Sequence, residues 1–298
     1  MSAPAHKSGY VSIVGRPNVG KSTLLNRILG QKISIVSHRP QTTRNRILGI
    51  HNSPDAQVLF LDTPGVHEAH KLLNQKMVDA ALGSLRDTDL VLLLVDCTQP
   101  AGPEEDAMLL ERLRASGRPV ILAPNKIDQV AKAALLPLIT RWSGVGPFEA
   151  VVPISARTGD GLDGLMKEIL VRLPEGPAWF PKDQITDATE RFVVSELIRE
   201  QAFRALDKEV PYSLAVEIEE FEEGDQRVRI LARLWVERDS QKGIVIGKGG
   251  SMLGRIGTGA RQQIIKLLGC PVRLDLTVGV DPDWTRRLRS VDRLGMFN

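Results

Sequence analysis

The chain has only two cysteines, Cys97 and Cys270, far apart in its 298 residues and without CxxC or Cys/His spacing. That spacing excludes a zinc module and leaves reduced, buried thiols as the expectation, which fits a cytosolic setting. Long apolar runs are also missing: the longest, residues 90–95, is far short of the about 20 that a membrane-crossing helix needs. Residues 1–10 have no apolar stretch after their basic side chains, so they do not read as a secretory signal and are expected to form a frayed tail. Nor is there an excess of one charge, since the net +3 is too small to point to a partner and only its distribution can. With 42% hydrophobic and 25% charged residues the chain is neither disordered nor fibrous, and its length suits two domains with a core each.

Apolar runs alternate with amphipathic stretches as far as about Leu173, the βαβ rhythm of a doubly wound, mostly parallel sheet with helices on both faces. The pattern predicts strands over 11–14, 47–50, 58–61, 90–95, 120–123 and 151–154, and helices over 21–29, 72–85, 104–116, 131–140 and 162–173. Three prolines and a glycine between Leu173 and Pro181 interrupt regular structure, so the domains are expected at 1–173 and 187–298 with a linker over 174–186. The second domain reads as a helix over 189–206, alternating strands over 214–218 and 228–236, a glycine-rich loop, a helix over 252–268 and a strand over 272–280. That is a smaller α+β fold.

Gly15-Arg16-Pro17-Asn18-Val19-Gly20-Lys21-Ser22 follows a predicted strand and opens a predicted helix, the setting in which such a sequence becomes a P-loop rather than a glycine-rich turn. Glycines let the backbone approach phosphates, its N–H groups and the helix N-terminus supply positive potential, Lys21 neutralises β/γ oxygens, and Ser22 can ligate Mg²⁺. Thr23 completes the predicted nucleotide-binding set of this loop, which also includes Gly15, Asn18, Val19 and Gly20. Asp62-Thr63-Pro64-Gly65 follows another strand, placing Asp62 for the Mg²⁺ water shell and the Gly65 amide for the γ-phosphate. Asn125-Lys126-Ile127-Asp128 supplies a carboxylate that pairs with the two donors of guanine and leaves adenine unpaired. Asn125 can tie this loop to the P-loop, the Lys126 stem can cover the base, and Ser155-Ala156-Arg157 offers a backbone N–H to guanine O6.

These four elements, in this order, are those of Ras-like GTPases, and with Pro40-Gln41-Thr42-Thr43-Arg44 and Val245-Ile246-Gly247-Lys248-Gly249-Gly250 the chain resembles the Era family of bacterial GTPases. The likeness runs from about Tyr10 to about Val280. It implies GTP hydrolysis to GDP and phosphate, and Mg²⁺ held by Ser22, Asp62 and Thr43, with the adjacent Thr42 leaving the register open by one. It also implies a catalytic group of Lys21, Thr43, Gly65 and Asn18, in which Asn18 helps to bind K⁺; otherwise Asn18 is a turn-former. Val66 stands where Ras has its water-orienting glutamine, so slow unaided hydrolysis is expected.

Gly247-Lys248-Gly249-Gly250 ahead of a helix has the GXXG form of a KH domain, and the helix–strand–strand–helix–strand order is that of the type II fold. Gly247, Lys248, Gly249, Gly250 and Arg255 are the expected RNA contacts, with the ten basic residues between Arg227 and Arg273 spanning the groove and the preceding glutamates a solvated strand. Trp235 and Trp284 are expected to pack rather than stack on bases. The resemblance implies that the groove holds the 3′ end of 16S ribosomal RNA and that the protein, a cytoplasmic monomer, acts in small-subunit assembly. Arg286, Arg287, Arg289 and Arg293 leave two readings open, RNA or anionic lipid at the inner face of the cell membrane. Two rivals remain: a P-loop phosphotransferase, against which Asn125–Asp128 argues, and a GTP-regulated protein- or membrane-interaction switch without RNA, against which the GXXG loop argues.

Overall fold

The computed structural model describes residues 6–36, 39, 42–64, 83, 85, 87–99, 106–146, 148–287 and 290. They fall into two compact units, one drawn from 1–34, 43–68 and 76–187, the other from 35–42, 69–75 and 188–298.

The first unit has strands β1 (Lys7–Val14), β2 (Ile47–Ser53), β3 (Ala56–Asp62), β4 (Leu90–Asp96), β5 (Val120–Asn125) and β6 (Ala150–Val151). Their order in the sheet is β2-β3-β1-β4-β5-β6, with β2 antiparallel to β3 and every other pairing parallel. Every residue of β3, β4 and β5 is buried, as strands covered on both faces require. The described helices are α1 (Lys21–Leu29), α2 (Ala107–Ser116), α3 (Lys132–Ser143) and α4 (Leu162–Arg172). The helix expected over 72–85 lies almost wholly outside the described residues. Parallel register brings the C-terminal ends of β1, β3, β4 and β5 to one edge of the sheet, with Ile13 opposite Asp62 and Asp96 opposite Asn125. Ligands of doubly wound folds bind at that edge.

The expected frayed tail needs correcting, because residues 7–10 belong to β1, where Lys7 to Tyr10 pair with Ala56 to Leu59. Polar side chains hid this strand: Ser8 is 4% exposed and donates through Oγ to the Pro177 carbonyl at 2.7 Å. The strand expected over 151–154 is regular only at Ala150–Val151, although Val152 and Ile154 still donate to Leu122 and Pro124 of β5. The proline-rich stretch has no helix or strand but is tied to the first unit. Buried Gln57 accepts from the Trp179 and Phe180 amides at 2.7 and 3.0 Å and donates to the Phe180 carbonyl at 2.9 Å, and Ile50 donates to Ile185.

The second unit contains α5 (Glu190–Ala205), β7 (Ala215–Glu223), β8 (Val228–Val236), α6 (Asp239–Ile246), α7 (Ser251–Leu268) and β9 (Val272–Val280). Thr189 caps α5, its hydroxyl accepting from the Phe192 amide. The sheet order is β7-β8-β9, antiparallel then parallel. Val194, Ile198, Ala202, Ile230, Ala232, Leu234, Ile256, Ala260 and Ile264 are buried together, joining α5 and α7 to one face of the sheet.

Helix α6 replaces part of the expected loop. Gly243 disguises it, but Val245 is fully buried and the Gln241 Oε1 accepts from the Glu237 and Arg238 amides at 3.0 and 3.2 Å, fixing the first turn. The other face of the sheet corrects the charge reading. Arg229 pairs with Glu222 at 3.7 Å, Arg233 with Glu219 at 2.8 Å and Arg273 with Asp275 at 2.9 Å. Three of the ten basic residues thus face carboxylates on the open sheet face, and two of the glutamates are their partners across the β7–β8 ladder. Trp235 packs there under the Arg233 guanidinium and donates to Glu217 at 2.6 Å, while Trp284 is fully buried, so both tryptophans pack as expected.

Candidate functional site

The loop from Val14 to Lys21 turns sharply enough to need special backbone. Gly20 has φ +105°, and a Cβ there would stand 2.3 Å from the Asn125 amide nitrogen. A side chain at this position would push apart two loops that Asn125 holds together: its Nδ2 donates to the Val19 carbonyl at 2.7 Å and its Oδ1 accepts from the Ala156 amide at 2.9 Å. The tie expected of Asn125 is present and reaches further than expected, to the Ser155–Ala156 loop. Of the backbone N–H groups that Ser155-Ala156-Arg157 was expected to offer to guanine O6, that of Ala156 is engaged with Asn125. Asn18 has φ +64°, a left-handed conformation that asparagine tolerates better than most residues, as its turn-forming reading requires.

Lys21 opens α1 and is buried, its Nζ donating to the Gly15 and Arg16 carbonyls, each at 2.9 Å. Burial lowers its pKa to about 8, a shift that the carboxylate of Asp62 partly offsets. Asp62, fully buried at the end of β3, has its pKa raised by the same loss of solvent, against the hydrogen bonds and charge of Ser22, Lys21 and Ser34. Both charges gain from company of opposite sign, anionic phosphate for the lysine and a cation for the aspartate.

Three oxygens converge beside them. The Ser22 hydroxyl donates to Asp62 Oδ2 at 2.7 Å and lies 2.8 Å from Thr43 Oγ1. Thr42, by contrast, turns its hydroxyl to the Arg39 carbonyl at 2.8 Å, so Thr43 is the threonine beside Ser22. Asp62 Oδ1 is buried without a hydrogen-bond partner. Two hydroxyls and a carboxylate with an unmet oxygen fit Mg²⁺, which takes few protein ligands and completes its octahedron with phosphate and water. Ser34, which sequence reasoning missed, donates to the same Asp62 Oδ2 at 2.8 Å and orients it. Gly65, Val66, Pro40 and Gln41 lie outside the described residues.

At the other end of the pocket, Lys126 has φ +68° and its Nζ pairs with Asp96 at 2.5 Å, which stretches the side-chain stem across the loop. Asp96 ends β4 and carries no sequence signature. The Asp128 carboxylate accepts from Ser155 Oγ at 2.6 Å and from the Arg157 guanidinium, and these partners hold its pKa below the usual carboxylate range, the serine hydrogen bond contributing most. Asp128 therefore stays ionised and acceptor-only. The Cys97 thiol just after β4 is pushed up to about 11 by burial and the nearby Asp96, which leaves it inert at neutral pH.

Lys21→Ala is expected to weaken GDP and GTP binding about 10- to 100-fold, the usual consequence of losing a charge-assisted contact in a buried site. Fluorescence titration in K⁺ and in Na⁺ should show the same loss.

In the second unit, Gly247 ends α6 at φ +71°, and a Cβ there would lie 2.7 Å from that of Met252. Lys248 and Gly249 are exposed at the tip of the loop, Gly249 at φ +59° with open space around it. Gly250 leads into α7, and Arg255 is exposed one turn further on. The loop thus presents bare backbone, a lysine and a helix N-terminus on one surface, where a nucleic-acid backbone can approach. Ile244, 50% exposed on α6 just before the loop, adds an apolar group that sequence reasoning missed.

An ionised, acceptor-only carboxylate is the chemical complement of the paired N1–H and N2–H₂ donors of guanine, a pair that adenine lacks. The fold and the pocket together define a Ras-like P-loop GTPase, carried on one chain with a type II KH fold. Comparison with known proteins agrees. A family model described as 50S ribosome-binding GTPase matches residues 10–126, and a KH-domain model matches 209–285. GTPase Era of Geobacter metallireducens is 51% identical over 297 residues and that of Geotalea uraniireducens 52%, each match covering 99% of both chains. Among solved structures, Era in complex with MgGDPNP and nucleotides 1506–1542 of 16S ribosomal RNA superposes with a TM-score of 0.95 at 43% identity, over 98% of this chain and 100% of that one. A point-substituted Aquifex aeolicus Era bound to GDP·AlF4⁻ gives 0.94 at the same identity and coverage. The chain belongs to the Era family of GTPases.

Proposed function

We propose that this GTPase is a switch whose KH loop binds the 3′ end of 16S ribosomal RNA and which acts in the assembly and maturation of the small ribosomal subunit, as a cytoplasmic monomer. The observation that carries the reading is the pairing, on one chain, of a guanine-selecting pocket with an exposed GXXG loop. The relative solved with both MgGDPNP and 16S ribosomal RNA supports it over nearly the whole chain.

In this reading Ser22, Thr43 and Asp62 hold Mg²⁺, which supplies charge stabilisation to the β/γ phosphates, while Lys21 neutralises their oxygens and Asp128 reads the base. Thr43 lies in the loop between α1 and β2, so its engagement with Mg²⁺ and GTP would order that loop, and loss of the γ-phosphate would release it. Lys248 and Arg255 bring positive charge to the loop that ends in Gly250, whereas Arg229, Arg233 and Arg273 face carboxylates on the sheet. No described helix is long and apolar enough to cross a membrane.

Hydrolysis is slow and Mg²⁺-dependent in this reading, because Val66 cannot orient water, and Asn18 helps to hold a K⁺ ion that offsets developing charge. Phosphate release should therefore be faster in K⁺ than in Na⁺, with Asn18→Ala removing the difference. Equal rates in both salts for the unaltered protein would leave Asn18 as a turn-former only. The RNA assignment is tested by crosslinking the protein in cells and sequencing the bound RNA. Enrichment of the small-subunit 3′ end is the expected result, and reads spread across unrelated RNA would reject it.

A further inference from the structure

The carboxylate that reads guanine already has a cationic partner within its own loop cluster. Asp128 follows β5, and its side chain is only 8% exposed. Ser155 Oγ donates to one carboxylate oxygen at 2.6 Å, and Arg157 Nη2 donates to the other. The backbone that carries Arg157 is fixed by the turn around it. Ser155 donates its amide to the Asp160 carbonyl at 2.9 Å, the Thr158 amide donates to Ser155 Oγ at 3.1 Å, and the Arg157 carbonyl accepts from Arg27 of α1. The Arg157 side chain itself is 68% exposed, so it can leave the carboxylate at little cost to packing.

The chemistry of the two partners is alike. The edge of guanine that a carboxylate recognises, N1–H and N2–H₂ on a common carbon, is a guanidine fragment, and Arg157 brings a guanidinium to the same acceptor. Both are planar donors, and two donor edges crowded onto one carboxylate oxygen repel each other. We infer that Arg157 is a placeholder for the guanine edge, a residue that competes with the incoming base for Asp128 and so sets the rate of nucleotide uptake. The inference rests on the reading of Asp128 as the guanine-selecting group.

In that arrangement only the fraction of molecules with Arg157 turned away takes up nucleotide, and the apparent association rate is the intrinsic rate multiplied by that fraction. Held Asp128 is also kept ionised and in place, ready for the base when the guanidinium leaves. Because Arg157 is exposed, the competition is modest and is screened by salt.

The test is stopped-flow binding of fluorescent GDP and of the inosine analogue to the full chain and to Arg157→Ala, at low and high salt, with the preference for GDP over ADP measured alongside. The variant is expected to bind both nucleotides about threefold faster at low salt, the size of an exposed ion pair, with unchanged dissociation rates and a difference that shrinks as salt rises. GDP and IDP should gain equally, because the contact removed belongs to the protein before the base arrives. Unchanged or slower association, or faster dissociation, would overturn the placeholder role and assign Arg157 to the bound nucleotide instead. The preference for GDP over ADP separates the two claims. Its persistence alongside unchanged association sinks the placeholder alone, whereas its absence from the unaltered protein sinks the base-reading role of Asp128 and the inference with it.

Discussion

Gly249→Asp is expected to lower affinity for RNA carrying the small-subunit 3′ sequence on the order of a hundredfold, with guanine-nucleotide binding unchanged. A Cβ at this position meets nothing within 4 Å, so the substituted side chain does not displace the core. The backbone there has φ +59°, and aspartate is among the residues that best tolerate a left-handed conformation. The domain should therefore stay folded, and the loss reports on the groove. What changes is the surface of the loop: a carboxylate now stands beside Lys248, where a phosphate must pass, and like charges at a binding surface cost several kcal/mol. Nucleotide binding is unaffected because Lys21, Asp62 and Asp128 all belong to the other unit. Arg255→Ala removes an exposed charge and should cost less, about threefold to tenfold, and similarly for any RNA sequence. Circular dichroism on both variants would confirm the fold, and filter binding would rank them. Undiminished RNA affinity in folded Gly249→Asp would favour a protein-interaction role for the second domain.

Asp128→Asn is expected to cost GTP binding about two to three orders of magnitude and to turn the preference toward xanthine nucleotide. The oxygen of the new amide can keep the hydrogen bond from Ser155, leaving its nitrogen to donate. Guanine then meets a donor with its own donors, while the C2 oxygen of xanthine finds a partner. The exchange is a matter of matched hydrogen-bonding character with almost no change of shape. Competition of GTP against XTP on the variant measures it, and a retained preference for GTP would show that the base is read elsewhere.

Much of this was legible in the chain before its structure, and for a physical reason. A loop that wraps a phosphate needs glycine where the backbone turns through positive φ, and Gly20 shows why: any side chain there would strike Asn125. Buried parallel strands read as continuous apolar runs, so β3, β4 and β5 were marked by composition alone. The KH fold was legible from the alternation of Val228, Ile230, Ala232, Leu234 and Val236, which are buried while their neighbours are not.

The parts that were not legible depend on contacts between residues distant in sequence. Asp96 and Ser34 stand outside any motif, and Arg157 belongs to one read only for its backbone; each side chain acquires its role only when the fold brings it to Lys126, Asp62 or Asp128. The charge pattern of the second domain misled for the same reason. Counting lysines and arginines along the chain credits them all to the groove, whereas the antiparallel register of β7 on β8, with its irregularity between Ile218 and Glu220, sets Glu219 and Glu222 against Arg233 and Arg229. Residues 7–10 failed as a tail because polar side chains conceal a strand that exists through pairing with β3.

As a switch, the protein is expected to bind RNA through its second domain in a way that depends on the nucleotide held by the first, and one titration tests this directly. Labelled RNA carrying the 3′ end of the small-subunit ribosomal RNA is added to the full chain with Mg²⁺, once with a non-hydrolysable GTP analogue and once with GDP. The account predicts tight binding in the GTP-analogue state, about tenfold or more weaker binding with GDP, a typical coupling between linked sites, and the same ratio recovered when RNA is held constant and nucleotide affinity is measured. Equal RNA affinity in the two nucleotide states would contradict it.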